Sequence, residues 1–198
     1  DAYSEDEIAF LDGYSGTLTA FPDEKTKEKY NELIKEEEAL NAQLEKIKQT
    51  DAQTKDGKRI AVAINIGSPA DLKNIGNEHF DGVGLFRTEF LYSSASEKPS
   101  QKEQYEAYKK VMDAVYPRPV TIRTIDVGGD KQISYLNMKK EENPFLGSRG
   151  IRLCMDNPQI FSEQIEAILT AGADKEVRIM LPMITSVEEI KKTREIID

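Results

Sequence analysis

The sequence has no tryptophan, one histidine and one cysteine in 198 residues. A single thiol excludes an internal disulfide and fits a reducing compartment. No histidine-rich neighbourhood surrounds Cys154, so its expected role is that of a small buried apolar side chain rather than a nucleophile. His79, in the polar run Gly76-Asn-Glu-His79 ahead of a strand, reads as a surface loop residue. Basic side chains are in deficit, 27 against 36 acidic, for a formal charge of −9. That disfavours a nucleic-acid partner, which needs a basic footprint. No apolar run approaches the ~18 residues of a membrane span. No basic n-region with an apolar core opens the chain, so no secretory signal is visible. These absences point to a cytoplasmic protein without membrane insertion.

What is present is regular. Residues 8–22 read as two short strands about a glycine-containing turn, closed by Pro22. A lone hairpin is marginal in water, so it should lean on another element. Asp23 can cap a helix over 23–49, with Tyr30, Leu33, Leu40, Leu44 and Ile47 at helical spacing. At about 27 residues that helix would extend ~40 Å; a two-helix hairpin is also admissible. The run Glu36-Glu37-Glu38 reads as a solvated face, and the polar stretch 50–57 as a linker.

From Lys58 strand and helix alternate four times. Ile60–Ile66 is a strand, followed by a short helix capped by Ser68, with Pro69 first and its end at Gly76. A strand over Val83–Phe86 leads to Arg87. Ser100 and Glu103 form a capping box for a helix carrying Tyr105, Tyr108, Val111, Met112 and Val115 on one face, stopped by Pro117. The next strand contains Arg123. After a long loop, Asn157-Pro158 opens a helix with Ile160, Phe161, Gln164, Ile165, Ile168 and Leu169 inward and Gly172 at its end. Val177–Leu181 is the fourth strand, and Ser186 with Glu189 caps the last helix. Such alternation implies a parallel sheet with right-handed crossovers. A small doubly wound domain and half of an eight-stranded barrel both fit.

Two of these strands end in arginine. In Val83–Arg87 and Val120–Arg123 a short apolar strand delivers a guanidinium at its C-terminal end, where parallel α/β proteins bind ligands. Arg87 could instead be structural, paired with Glu89 or another carboxylate. Two such arginines can converge, and the guanidinium fork matches carboxylate or phosphate oxygens two at a time. Gly128-Gly129-Asp130-Lys131 reads either as a tight turn or as a loop that approaches an anion. Arg149 is a similar secondary candidate, and Arg152 reads as structural. Glu89 and Asp126 are placed to orient the arginines.

The blocks G-V-G-L-F-R-T-E-F-L-Y at 82–92, R-T-I-D-V-G-G-D-K at 123–131, N-P-F-L-G-S-R-G-I-R at 143–152 and V-R-I-M-L-P-M-I-T-S-V-E-E-I at 177–190 resemble Enzyme I of the bacterial sugar phosphotransferase system. The likeness runs in order over nearly the whole chain. It implies the first half of a (β/α)8 TIM barrel, four βα units over 58–198. Ahead of it would lie a remnant of a phosphohistidine domain (1–22) and a linker helix (23–57). It implies an enzyme that moves the phosphoryl group of phosphoenolpyruvate (PEP) to its own histidine and on to the carrier protein HPr. Arg87 and Arg123 would be the PEP-binding residues. The family's Mg2+ ligands, proton-donating cysteine and phosphorylated histidine have no counterpart in this chain, so the chain alone is expected to be inactive. HPr would bind through the missing N-terminal region, and the family forms homodimers. A PEP synthase or pyruvate phosphate dikinase relative, and a non-catalytic association fragment, are the alternatives. Half a barrel would also expose two strand edges and apolar surface, a route to association.

Overall fold

The computed structural model describes residues 8–74, 79–93, 97–128, 133, 135, 142–143 and 146–198. Residues 1–50 and 51–198 form separate compact units.

In the first unit, β1 (Ala9–Asp12) and β2 (Thr17–Ala20) pair antiparallel, with Phe10 opposite Thr19. Asp12 closes the turn by accepting from the backbone of Tyr14 and Ser15. The helix α1 runs Glu24–Ile47, and the Asp23 side chain accepts from Thr26 N as its cap. The hairpin does lean on this helix: Phe10 stacks on Tyr30 at 4.7 Å between ring centroids. No residue of α1 is buried. Glu36, Glu37 and Glu38 are exposed as expected, but so are Leu33, Leu40, Leu44 and Ile47.

The second unit carries four parallel strands in the order β3-β4-β5-β6: Ile64–Ile66, Val83–Arg87, Val120–Arg123 and Val177–Met180. The first is shorter than the sequence suggests. Residues 60–63 make scattered bonds, Ile60 N to Ala52 O and Val62 N to the Asp81 carboxylate, instead of a ladder. The turn after β3 is a 3-10 helix, Pro69–Asn74, and the expected end at Gly76 lies outside the described residues. Its capping group is Asp71 rather than Ser68, because the Asp71 carboxylate reaches back to Gly67 N and Ser68 N.

Helices α3 (Gln101–Val115) and α5 (Pro158–Ala171) pack on each other and on one face of the sheet. Tyr108, Val111, Met112, Ala167 and Ile168 meet Phe86, Val120 and Ile122 there, and all are buried. Leu169, expected inward, is exposed instead. Both expected capping boxes form, Ser100 with Glu103 and Ser186 with Glu189, the latter opening α6 (Val187–Ile197). Two short helices went unread in the sequence: α2 (Glu89–Ser93), directly after β4, and α4 (Ile151–Asp156), in the stretch taken as loop. With 5 and 6 residues, neither is long enough to show helical periodicity. A second core cluster, with Tyr92, Ile125, Val127, Ile151, Cys154, Phe161 and Ile165, lies where these short helices meet α5.

Candidate functional site

Phe86 and Ile122 are register partners, fully buried on the helix-covered side. Side chains alternate along a strand, so the next residues turn to the other face. Those residues are Arg87 and Arg123, and they too are register partners. Two guanidiniums therefore leave one face of the sheet at its C-terminal end, from backbones ~4.8 Å apart.

Their surroundings differ. Arg87 is exposed and lies with its guanidinium carbon 4.9 Å from the Phe90 ring centroid. It lines a cavity of about 470 Å³ together with Gly67, Ser68, Asp71, Phe90 and Leu91. A Cβ on Gly67 would fall 2.7 Å from the Phe90 ring, so glycine is what lets the ring lie against this backbone. Bonds from Gly67 N, Ser68 N and the Ser68 hydroxyl hold the Asp71 carboxyl below the usual range, with a smaller contribution from the charge of Arg87. The alternative pairing of Arg87 with Glu89 does not occur, because Glu89 turns to Arg123.

Arg123 donates through Nη2 to Glu89 Oε1 at 2.5 Å, and its Nη1 lies 3.2 Å from Asp126 Oδ2. Asp126 also accepts from Arg149, through Nε at 3.0 Å and Nη2 at 3.3 Å. Glu89 and Asp126 are 3% and 6% exposed. Two buried carboxylates and two arginines form one connected group, in which each charge has an opposite partner while Glu89 Oε2 and Arg123 Nε are buried without a hydrogen bond. Both carboxylates expected to orient the arginines contact Arg123. Arg149 reaches Asp126 because the chain passes close by: Gly128 has φ +129°, and a Cβ there would meet Arg149 Cβ at 2.9 Å. Gly129, Asp130 and Lys131 lie outside the described residues. Arg152 donates to Leu146 O, a structural contact.

Beneath the arginines runs a buried polar network that sequence reasoning missed. Thr88 Oγ1 donates to Arg123 O at 2.7 Å and accepts from Gln164 Nε2 at 3.2 Å. Gln164 Nε2 also reaches Tyr108 Oη at 3.2 Å, and Gln164 Oε1 accepts from Ile125 N at 2.9 Å. Tyr108 Oη donates to Gln104 Oε1, which accepts from Tyr92 Oη as well. The backbone from Arg123 O to Ile125 N is thereby tied to α3 and α5. The available signal was a glutamine at a core position of each helix, Gln104 and Gln164.

Cys154 is buried, and that burial, with the nearby Asp126 charge, pushes its thiol up to about 12. An apolar packing role follows. His79 places Nε2 2.8 Å from Asp51 Oδ1, at a half-exposed position. No group of three His, Cys, Asp or Glu side chains gathers to hold a metal among the described residues. Among them, too, no helix is long and apolar enough to cross a membrane.

Residues 41–198 match the family model described as PEP-utilising enzyme, PEP-binding domain. The chain is 40% identical over 195 residues, 98% of its length, to the phosphoenolpyruvate-protein phosphotransferase of Listeria innocua. It is 39% identical over 97% of its length to that of Latilactobacillus sakei, and 37% identical over 95% to that of Staphylococcus carnosus. It covers 33–34% of those proteins, so it spans about a third of the length of the curated relatives it matches. The extent of the family match shows that this chain belongs to the PEP-utilising enzymes, in their PEP-binding domain family.

Proposed function

We propose that this chain supplies the phosphate clamp of a phosphoenolpyruvate-protein phosphotransferase, with Arg87 and Arg123 holding PEP. The observation that carries this reading is that they are register partners at the C-terminal ends of adjacent parallel strands, where Arg87 lines a cavity of about 470 Å³. Two fixed cations around a phosphoryl group orient it and stabilise the charge that its oxygens bear in transfer. In the whole protein the bond from phosphorus to the enolpyruvate oxygen breaks and a phosphorus–nitrogen bond forms to a histidine outside this segment. The phosphoryl group then passes to HPr, in the cytoplasm, as the first step of sugar uptake.

The half-barrel reading is supported by the unidirectional strand order β3-β4-β5-β6, with α3 and α5 on one face. A doubly wound sheet would reverse its order at a switch point and carry helices on both faces. Homodimerisation of the whole protein belongs to the same reading. The Mg2+ that the resemblance implies finds no ligand group among the described residues, so no step here runs through it.

The test is transfer of label from [32P]PEP in the intact phosphotransferase carrying Arg87→Ala, Arg123→Ala or Arg123→Lys. The loss expected for each alanine variant is about 10²–10³-fold, as for other charge-stabilising donors. Lysine restores the charge but not the fork, so it should not rescue. Unaltered transfer by both alanine variants would refute the clamp. The isolated chain should take up no label.

A further inference from the structure

The ion-pair group around Arg123 has a consequence for ligand binding that rests on the clamp reading. Both terminal nitrogens of Arg123 are already committed to carboxylates, and its Nε is buried without a hydrogen-bond partner. An incoming phosphate that takes both terminal nitrogens therefore shares each of them with a carboxylate. The two carboxylates are not held equally. Asp126 is fixed by Arg149 through two nitrogens in addition to Arg123. Glu89 uses one oxygen on Arg123, while its Oε2 is buried with no partner. Glu89 is therefore the carboxylate with fewer partners, although its bond to Arg123 is the shorter.

We infer that Glu89 is an internal competitor for the anion site: its carboxylate shares Arg123 Nη2 with the incoming phosphate and repels it by like charge, so its bond to that nitrogen is given up on binding and this side chain lowers the affinity for PEP. The exchange is costly because Glu89 is almost fully buried and, without Arg123, becomes an unpaired charge. Only the fraction of molecules with the pair open binds directly, which weakens the apparent affinity by that fraction. A residue that only positioned Arg123 would act in the opposite direction, since its loss would loosen the clamp. The sign of one substitution therefore separates the two roles.

The experiment is PEP binding by titration calorimetry to the intact phosphotransferase, comparing wild type, Glu89→Gln and Arg123→Ala. Glutamine keeps the shape and an acceptor for Arg123 but releases the charge-assisted bond. Glu89→Gln should bind PEP about ten-fold more tightly, the scale of a hydrogen bond to a charged group. Unchanged or weaker binding overturns the competition. Arg123→Ala should weaken binding, and an Arg123→Ala protein with wild-type affinity overturns both the competition and the clamp. If circular dichroism shows Glu89→Gln unfolded, Glu89→Asp decides by the same criterion, because it keeps the charge while its shorter side chain weakens the bond to Arg123 Nη2.

Discussion

Replacing Gln164 by leucine is the sharpest probe of what holds the site in place. The side chain is fully buried, and leucine is close to it in volume, so the change removes hydrogen bonds with little change in packing. Three bonds disappear: two from Nε2, to Thr88 and Tyr108, and one from Ile125 N to Oε1. The hydroxyls of Thr88 and Tyr108 keep their bonds to Arg123 O and Gln104. Ile125 N–H has no such second partner and is left buried and unpaired, which costs roughly 1–3 kcal/mol. With the two weakened hydroxyl contacts the total comes to about 2–4 kcal/mol, a large fraction of a domain's ~5–15 kcal/mol. The assay is urea unfolding followed by far-ultraviolet circular dichroism, since the chain has no tryptophan for fluorescence. With a slope of about 1–3 kcal/mol per molar urea, the midpoint should fall by roughly 1 M or more. A Gln164→Leu midpoint equal to wild type would mean that the network is incidental and that the β5 end is held by packing alone.

Two further outcomes follow from the perturbed groups. Backbone bonds from Gly67 and Ser68 depress the Asp71 carboxyl in the folded state, so its contribution to stability is present above the unfolded value of about 3.9 and is lost as pH falls through the lower folded value. A carboxyl carbon titration of Asp71 by nuclear magnetic resonance should give a midpoint below about 3.9; a midpoint at or above that value would contradict the capping geometry. Cys154, with its thiol pushed up to about 12, should react with a disulfide reagent at pH 8 only on unfolding. Rapid labelling of the native protein would show that the second core cluster is open.

Local signals carried much of the fold. Asp23, Ser100 and Ser186 announced three helix starts, because a cap is a contact between residues two or three apart in the chain. Gly172 and Pro158 marked the ends of α5 for similar reasons of backbone geometry. The strands that end in Arg87 and Arg123 were legible from short β-branched and aromatic runs. What failed were elements without a period of their own: the two short helices α2 and α4, and the edge stretch 60–63, where ladder bonds depend on a neighbour.

The sequence by itself determined that two arginines stand at the ends of two buried strands, followed by carboxylates able to hold them. Only the tertiary structure decided that these arginines are register partners, that Glu89 serves Arg123 rather than the nearer Arg87, and that Gln164 ties the strand end to α5 from 39 residues away. Caps and strand ends depend on neighbours along the chain. Register and ion-pair choice depend on which surfaces pack together, and a one-residue slip in β5 would have turned Arg123 into the apolar core.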